Sequence, residues 1–183
     1  AKLAAIEGHW ETNRDHGMPL LLFALPNMET ESNDLEIGIP NLGSLILTHS
    51  VDGEVKGLKD FAAEDRPNAL IVFWSFRIMV GLGMLMVLLS LTALWLRKKG
   101  VLYESSWFHK FALIMGPTGY IALLAGWVTT EVGRQPWVVY GVIRTKDGLS
   151  HTVTADQVGL SLIIFVLVYT VVFGAGIYYM LRL

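Results

Sequence analysis

Apolar residues gather into three long runs in the later part of the chain and into short, broken runs before them. The first long run, Ala69 to Leu96, is interrupted by one charge, Arg77; the runs Phe111 to Thr130 and Val158 to Leu181 carry none. Each reaches or exceeds the roughly 20 residues that a helix needs to cross a bilayer. The pattern therefore predicts three membrane-spanning helices, about 69–96, 111–130 and 158–181. A kink is expected in the second, where Pro117 between Gly116 and Gly119 removes a helix hydrogen bond. The third ends at Arg182, with Tyr178 and Tyr179 suited to the membrane interface.

The first 68 residues read differently. Lys2 to Thr12 is expected to form a short helix, with Leu3, Ile6 and Trp10 as a narrow apolar stripe and Lys2 and Glu7 on its two flanks. Leu20 to Leu25 and Leu42 to Leu47 are apolar, separated by a polar run from Asn27 to Asp34. Periodicity leaves two forms open here, a hairpin or loops on the membrane surface. The expected fold class is all-α integral membrane: three transmembrane helices (69–183) preceded by an extramembrane region (1–68), as part of a larger helical bundle.

Composition agrees, with 53% hydrophobic and only 16% charged residues. Without cysteine, thiolate metal sites and iron–sulfur clusters are excluded, so any metal ligand must be His, Met, Glu or Asp. A formal charge of −2 gives no basic field, which argues against nucleic acid as a partner. The chain opens on Ala1-Lys2-Leu3 with no signal-peptide pattern, so a longer polypeptide is expected. Twelve of the sixteen acidic residues but only five of the fourteen basic ones lie in residues 1–68. Arg97, Lys98, Lys99 and Lys110 crowd the connection between the first two spans and place it in the cytoplasm. The 1–68 region is then outside. So is the 132–157 loop, against the pull of Arg134, Arg144 and Lys146.

Candidate chemistry lies where polarity meets the membrane. Arg77 stands inside the first span, where an arginine costs at least ~2.5 kcal/mol unless paired, so a counter-ion is required. A helix partner would serve, as would an anionic cofactor group. Phe76, Met79, Gly83 and Met86 share a helix face, and Gly83 would leave room for a flat ring beside Met79. Such a stripe is ordinarily core filler, although methionine can also ligate haem iron. Trp127, Glu131 and Arg134 form a column at the end of the second span. Glu131 could pair with Arg134, or bind a cation, proton or metal. Lys2 and Glu7 are ordinarily solvated charges; the alternative is a quinol head resting at the interface. His9, His16, His49, His109 and His151 are scattered singly and read as surface residues.

Three segments taken together resemble the C-terminal portion of subunit I of cytochrome bd-type quinol oxidases, from the quinol-binding loop onward. They are Lys2-Leu-Ala-Ala-Ile-Glu7-Gly-His-Trp, Phe73-Trp-Ser-Phe-Arg77-Ile-Met79-Val-Gly, and Gly126-Trp127 followed by Glu131-Val-Gly-Arg134-Gln-Pro-Trp137. The resemblance implies that Lys2 and Glu7 bind and oxidise quinol. It implies that Met79 ligates the low-spin haem b, with Arg77 beside that haem, and that Glu131 ligates a high-spin haem, with Trp127 and Arg134 as cofactor neighbours. The cofactors implied are low-spin haem b, high-spin haem b, and haem d or a further haem b. The reaction implied is quinol oxidation coupled to reduction of dioxygen to water, generating a proton gradient without pumping, in the bacterial cytoplasmic membrane. The orientation read from basic residues agrees, since it puts Lys2, Glu7 and Glu131 on the outer side.

The family's long subunit has many more spans than the three present here, and its haem-ligating histidines and proton-path acids belong to them. The implied partners are therefore the N-terminal spans of the same subunit, subunit II and small accessory subunits, besides quinol, dioxygen and lipid. The outer loop is of moderate length, as in the family's short-loop branch. A competing reading is a transporter or channel in which Arg77, Glu131 and Arg134 line a polar path. A non-catalytic subunit whose charges merely pair between helices is a third.

Overall fold

The structure is a computed structural model and describes residues 1–13, 16–148 and 152–182. Among the described residues three helical stretches are long and apolar enough to cross a membrane: Ala63–Lys98, Ser106–Arg134 and Ala155–Arg182. The chain divides into two units, Ala1–Thr145 and Lys146–Leu183.

In the first unit the main span is α3, Ala69–Lys98. Asn68 begins it, its side-chain oxygen accepting the Ile71 N–H at 3.1 Å, so one of the unpaired first-turn donors is satisfied. Arg97, Lys98 and Lys99 end it, with the Lys99 ammonium 3.9 Å from the Trp95 ring centre.

The second span is two helices, α4 (Ser106–Met115) and α5 (Thr118–Arg134). The break falls at Gly116 and Pro117, where the expected kink lies, because proline has no N–H to continue the ladder. At the break the Leu113 carbonyl accepts the Gly116 N–H at 3.1 Å and the Met115 carbonyl accepts the Thr118 hydroxyl at 2.6 Å. Methionine side chains of α3 meet glycines of α5: Met79 lies at Gly126 and Met86 at Gly119. Rising numbers on one helix match falling numbers on the other, so the two run antiparallel. A buried hydrogen bond between the Ser75 and Thr129 hydroxyls, 2.8 Å long, ties the start of α3 to the end of α5.

The region before α3 contains a hairpin, β1 (Leu20–Asn27) with β2 (Ser32–Ile39), followed by α2 (Leu42–Thr48). The sequence left this open because β1 is apolar almost throughout and shows no alternation. Part of the polar run that follows is the turn, where the Asn27 side chain accepts the N–H groups of Glu29 and Thr30. Leu21 and Ala24 of β1 are buried with Phe73 of α3, and Phe23 meets Trp74 edge-on at 5.0 Å. The hairpin thus covers the first turns of α3.

The first helix, α1, spans Lys2–Glu7 and stops well short of Thr12. Gly8 ends it in the left-handed conformation, φ 72°. A Cβ there would also stand 2.9 Å from Phe73. Trp10 therefore lies beyond the helix, buried in the same cluster as Ala4 and Ala5 with Ile6 packed against it, and of the expected stripe only Leu3 turns outward. Leu3 is 50% exposed, while Ala4 and Ala5 are buried against Leu58, Ala69 and Val72. Small residues let this helix lie close on α3, which the large residues of the stripe would prevent. After α5 comes a small ribbon, β3 (Trp137–Val139) with β4 (Ile143–Arg144). Arg144 fastens it to the turn before α3, reaching Asp65 at 2.8 Å and Glu64 at 3.4 Å.

The second unit is chiefly α6, Ala155–Arg182. At 1.5 Å per residue its 28 residues measure about 42 Å, enough to span. It buries no residue within the structure, so its apolar surface calls for lipid or further helices.

Candidate functional site

Glu7 and Arg77 meet. The guanidinium donates from Nη2 to Glu7 Oε2 at 3.3 Å, from Nε to the Leu21 carbonyl at 2.8 Å and from Nη1 to the Ile6 carbonyl at 3.4 Å. It also lies over the Phe73 ring, 4.5 Å from the centroid. The required counter-ion of Arg77 is thus a carboxylate from α1. Glu7 is only 6% exposed, which corrects its ordinary reading as a solvated surface charge. Each charge makes the other's burial tolerable, and the two carbonyls accept two more of the five guanidinium N–H groups.

Lys2 points elsewhere on the same helix. Its side-chain carbons run across Gly133 of α5, within 3.0–3.3 Å of where a Cβ would stand. It lines a cavity of about 430 Å³ with Arg134, Gln135, Trp137 and Tyr140. Lys2 and Glu7 therefore do not converge on one point: α1 lies across both spans, with Glu7 on α3 and Lys2 on the end of α5.

Two residues beyond Arg77, the Met79 sulfur is turned toward Gly126, 2.8 Å from a notional Cβ there. Trp127 is 63% exposed. Glu131 forms an ion pair with Arg134 one turn along α5, both side chains partly open. Among the described residues no group of three or more His, Asp or Glu side chains could hold a metal ion. A haem iron asks less, a single axial donor from each side. One turn along the same face, Gly83 has nothing within 4 Å of where a Cβ would stand, which leaves room there for a flat macrocycle. Glu131, half covered beside an exposed tryptophan, fits a carboxylate donor to a second ring.

His9 is the residue that sequence reasoning misplaced. It is 6% exposed, and burial pushes its pKa down from 6.5 to about 4, against the opposing pull of the Pro19 backbone and Glu36. Its Nε2 has no hydrogen-bond partner. The missed signal is Gly8: a helix ending there turns the next residue inward, whereas a helix continued to Thr12 does not. His16, His49 and His109 are exposed as expected, and His151 lies outside the described residues.

With this geometry in hand, the chain can be set beside known proteins. The family model for cytochrome bd terminal oxidase subunit I matches residues 1–183. The chain is 35% identical over 192 residues to cytochrome bd ubiquinol oxidase subunit 1 of Bacillus subtilis, covering 99% of this chain and 40% of that protein. It is 30% identical over 244 residues to cytochrome bd-II ubiquinol oxidase subunit 1 of Escherichia coli, covering 98% and 47%. Among solved structures, the bd oxidase of Geobacillus thermodenitrificans matches with a TM-score of 0.73 and 31% identity, over 99% of this chain and 40% of that one. The chain thus spans less than half the length of these relatives.

Proposed function

The chain belongs to the cytochrome bd terminal oxidase subunit I family, and on that premise we propose that it is the quinol-oxidising portion of a membrane quinol:oxygen oxidoreductase. The observation that carries this reading is the seat of α1: one short helix brings Glu7 onto Arg77, two residues from Met79, and lays Lys2 along α5 beside Arg134.

In this reading Lys2 donates a hydrogen bond to a quinol oxygen and Glu7 takes the hydroxyl proton. Arg77 holds the Glu7 side chain in place through the ion pair at 3.3 Å. Met79 would hold the low-spin haem b and Glu131 one of two high-spin haems, these being haem b and either haem d or a further haem b, with Trp127 and Arg134 flanking them. Bound haems supply one-electron acceptors for quinol and the centre at which dioxygen is reduced to water. The remaining haem ligands would come from the N-terminal spans of the same subunit, in complex with subunit II and small accessory subunits. Residues 1–68 would face the outer side of the bacterial cytoplasmic membrane and 69–183 would form the membrane domain. Proton release outside and uptake inside then yield a gradient without pumping. A channel lined by Arg77, Glu131 and Arg134 has less support, because each of these charges already has a partner within the fold.

The test is Glu7→Gln in the complete complex. Quinol-driven oxygen uptake is expected to fall about 100-fold, as for loss of a positioned proton acceptor, while an artificial one-electron reductant still drives uptake. Equal loss with both donors would refute the quinol role. Absence of haem bands in the reduced-minus-oxidised spectrum would refute the oxidase reading as a whole.

A further inference from the structure

The end of α3 and the start of α4 carry charge that the fold leaves unanswered. Between Trp95 and Lys110 the chain holds Arg97, Lys98, Lys99 and Lys110 against a single acid, Glu104. All five residues are exposed, and among the described residues none of them forms an ion pair. Cations at a helix C-terminus are ordinarily explained by the unpaired carbonyls there. At the end of α3 the backbone itself answers those carbonyls. Trp95 accepts the Lys99 N–H at 3.1 Å, Leu96 the Val101 N–H at 3.1 Å and Arg97 the Gly100 N–H at 3.0 Å, with Gly100 closing the turn at φ 76°. Lys110 has no such explanation at all, since it stands in the N-terminal half of α4, the end of a helix that favours negative charge.

Helix geometry fixes where these charges point. At about 100° per residue, Lys98 and Lys110 each lie about 200° round from a residue two positions earlier, Leu96 and Phe108. Both of those are buried, so both lysines point away from the protein. Lys98 and Lys99 flank Trp95, three and four residues on, and the Lys99 ammonium lies 3.9 Å from the centre of that ring. Lys110 follows Trp107 by three residues, and both tryptophans are more than half exposed. Each helix end thus presents an indole with lysine on one face, at the level where apolar sequence gives way to polar. Water serves the lysines but not the indoles, and a protein partner would have to bring acids to three lysines. Anionic phospholipid supplies both contacts at this level, phosphate for the ammonium groups and acyl carbon for the rings.

We propose that Lys98, Lys99 and Lys110, with Trp95 and Trp107, form a binding surface for the headgroup phosphates of anionic phospholipid in the leaflet that meets this end of α3. The surface lies at the far end of α3 from Glu7 and Arg77 and does not depend on the quinol reading. Arg97 is not part of it, because it lies about 200° round α3 from Trp95.

The experiment places the complete complex in nanodiscs of mixed phosphatidylglycerol and phosphatidylcholine, re-extracts it in mild detergent and identifies the lipid still bound by mass spectrometry. The unaltered complex is expected to retain phosphatidylglycerol above its share of the bilayer. Each of Lys98→Gln, Lys99→Gln and Lys110→Gln is expected to lower that preference about fivefold, the share of one lysine at an anionic surface. Arg97→Gln removes an equal charge from outside the surface and is expected to leave the preference unchanged. An unaltered complex that retains the two lipids in bilayer proportion overturns the proposal, whether or not any variant assembles. A preference that survives all three lysine substitutions overturns it too. Equal loss in Arg97→Gln would mark diffuse surface charge in place of a site, and loss of another subunit from the lysine variants, with bound lipid unchanged, would mark a protein interface; either result overturns the proposal.

Discussion

The Glu7–Arg77 pair can be tested without reference to chemistry, through a double-substitution cycle. Arg77→Met keeps the length of the side chain and removes its charge; Glu7→Gln keeps an acceptor oxygen and removes the other charge. At the observed 3.3 Å, unit charges in an effective dielectric of about 20 attract by about 5 kcal/mol. Breaking a buried pair from one side typically costs about 3–5 kcal/mol, because a desolvated charge is stranded. Arg77→Met also frees the Leu21 and Ile6 carbonyls, so it should be the worse of the two. The double variant strands no charge and should be more stable than Arg77→Met alone, with a coupling near 3 kcal/mol, the upper end for residues in contact. Membrane complexes unfold irreversibly, so the measurement is the half-life of the folded complex at a fixed elevated temperature. Each single variant is expected to shorten it by roughly tenfold or more, at about 1.4 kcal/mol of barrier per decade, and the double variant to recover most of the loss. Strict additivity would refute the reasoning, for it would mean that neither charge senses the other.

Three further outcomes are expected. Burial holds the His9 pKa at about 4 in the folded chain against 6.5 when free. The unfolded chain therefore binds the extra proton between those values and stability rises with pH through that window. About 3 kcal/mol is lost on the acid side, so His9→Gln should flatten the pH dependence of the half-life between pH 4 and 6.5; an unchanged slope would show that the ring is not held neutral. Met79→Leu should abolish the low-spin haem band, whereas a methionine serving only as filler would leave the spectrum intact. Gly126→Ala places a Cβ 2.8 Å from the Met79 sulfur: a filler side chain swings aside at little cost, but an iron ligand cannot, so a shifted low-spin band with unchanged protein yield is the expected result.

How much of this was legible in the sequence depended on the range of the interaction concerned. The spans could be read because lipid imposes its requirement residue by residue, and the break at Pro117 because proline's missing N–H is a local fact. The Glu131–Arg134 pair was equally local, three residues apart on one helix. The hairpin was not legible, since a strand pressed on α3 along Leu21, Phe23 and Ala24 loses the alternation that would announce it. The length of α1 was misread because Leu3, Ile6 and Trp10 offered a periodicity that Gly8 cancels. That single residue decides more than the helix end, for it also turns His9 into the interior. For Arg77 the physics of a charge within a span demanded a partner, and the sequence held twelve acids in its first 68 residues from which to choose. Nothing in spacing selects Glu7, 70 residues away. What selects it is the close seat of Ala4 and Ala5 on Ala69 and Val72, which brings α1 down onto α3 at the depth of the guanidinium. The alanines between the two functional candidates of Lys2-Leu-Ala-Ala-Ile-Glu7 are therefore as much a part of the site as the charges: enlarging either would lift Glu7 off Arg77 and Lys2 off Gly133 in one movement.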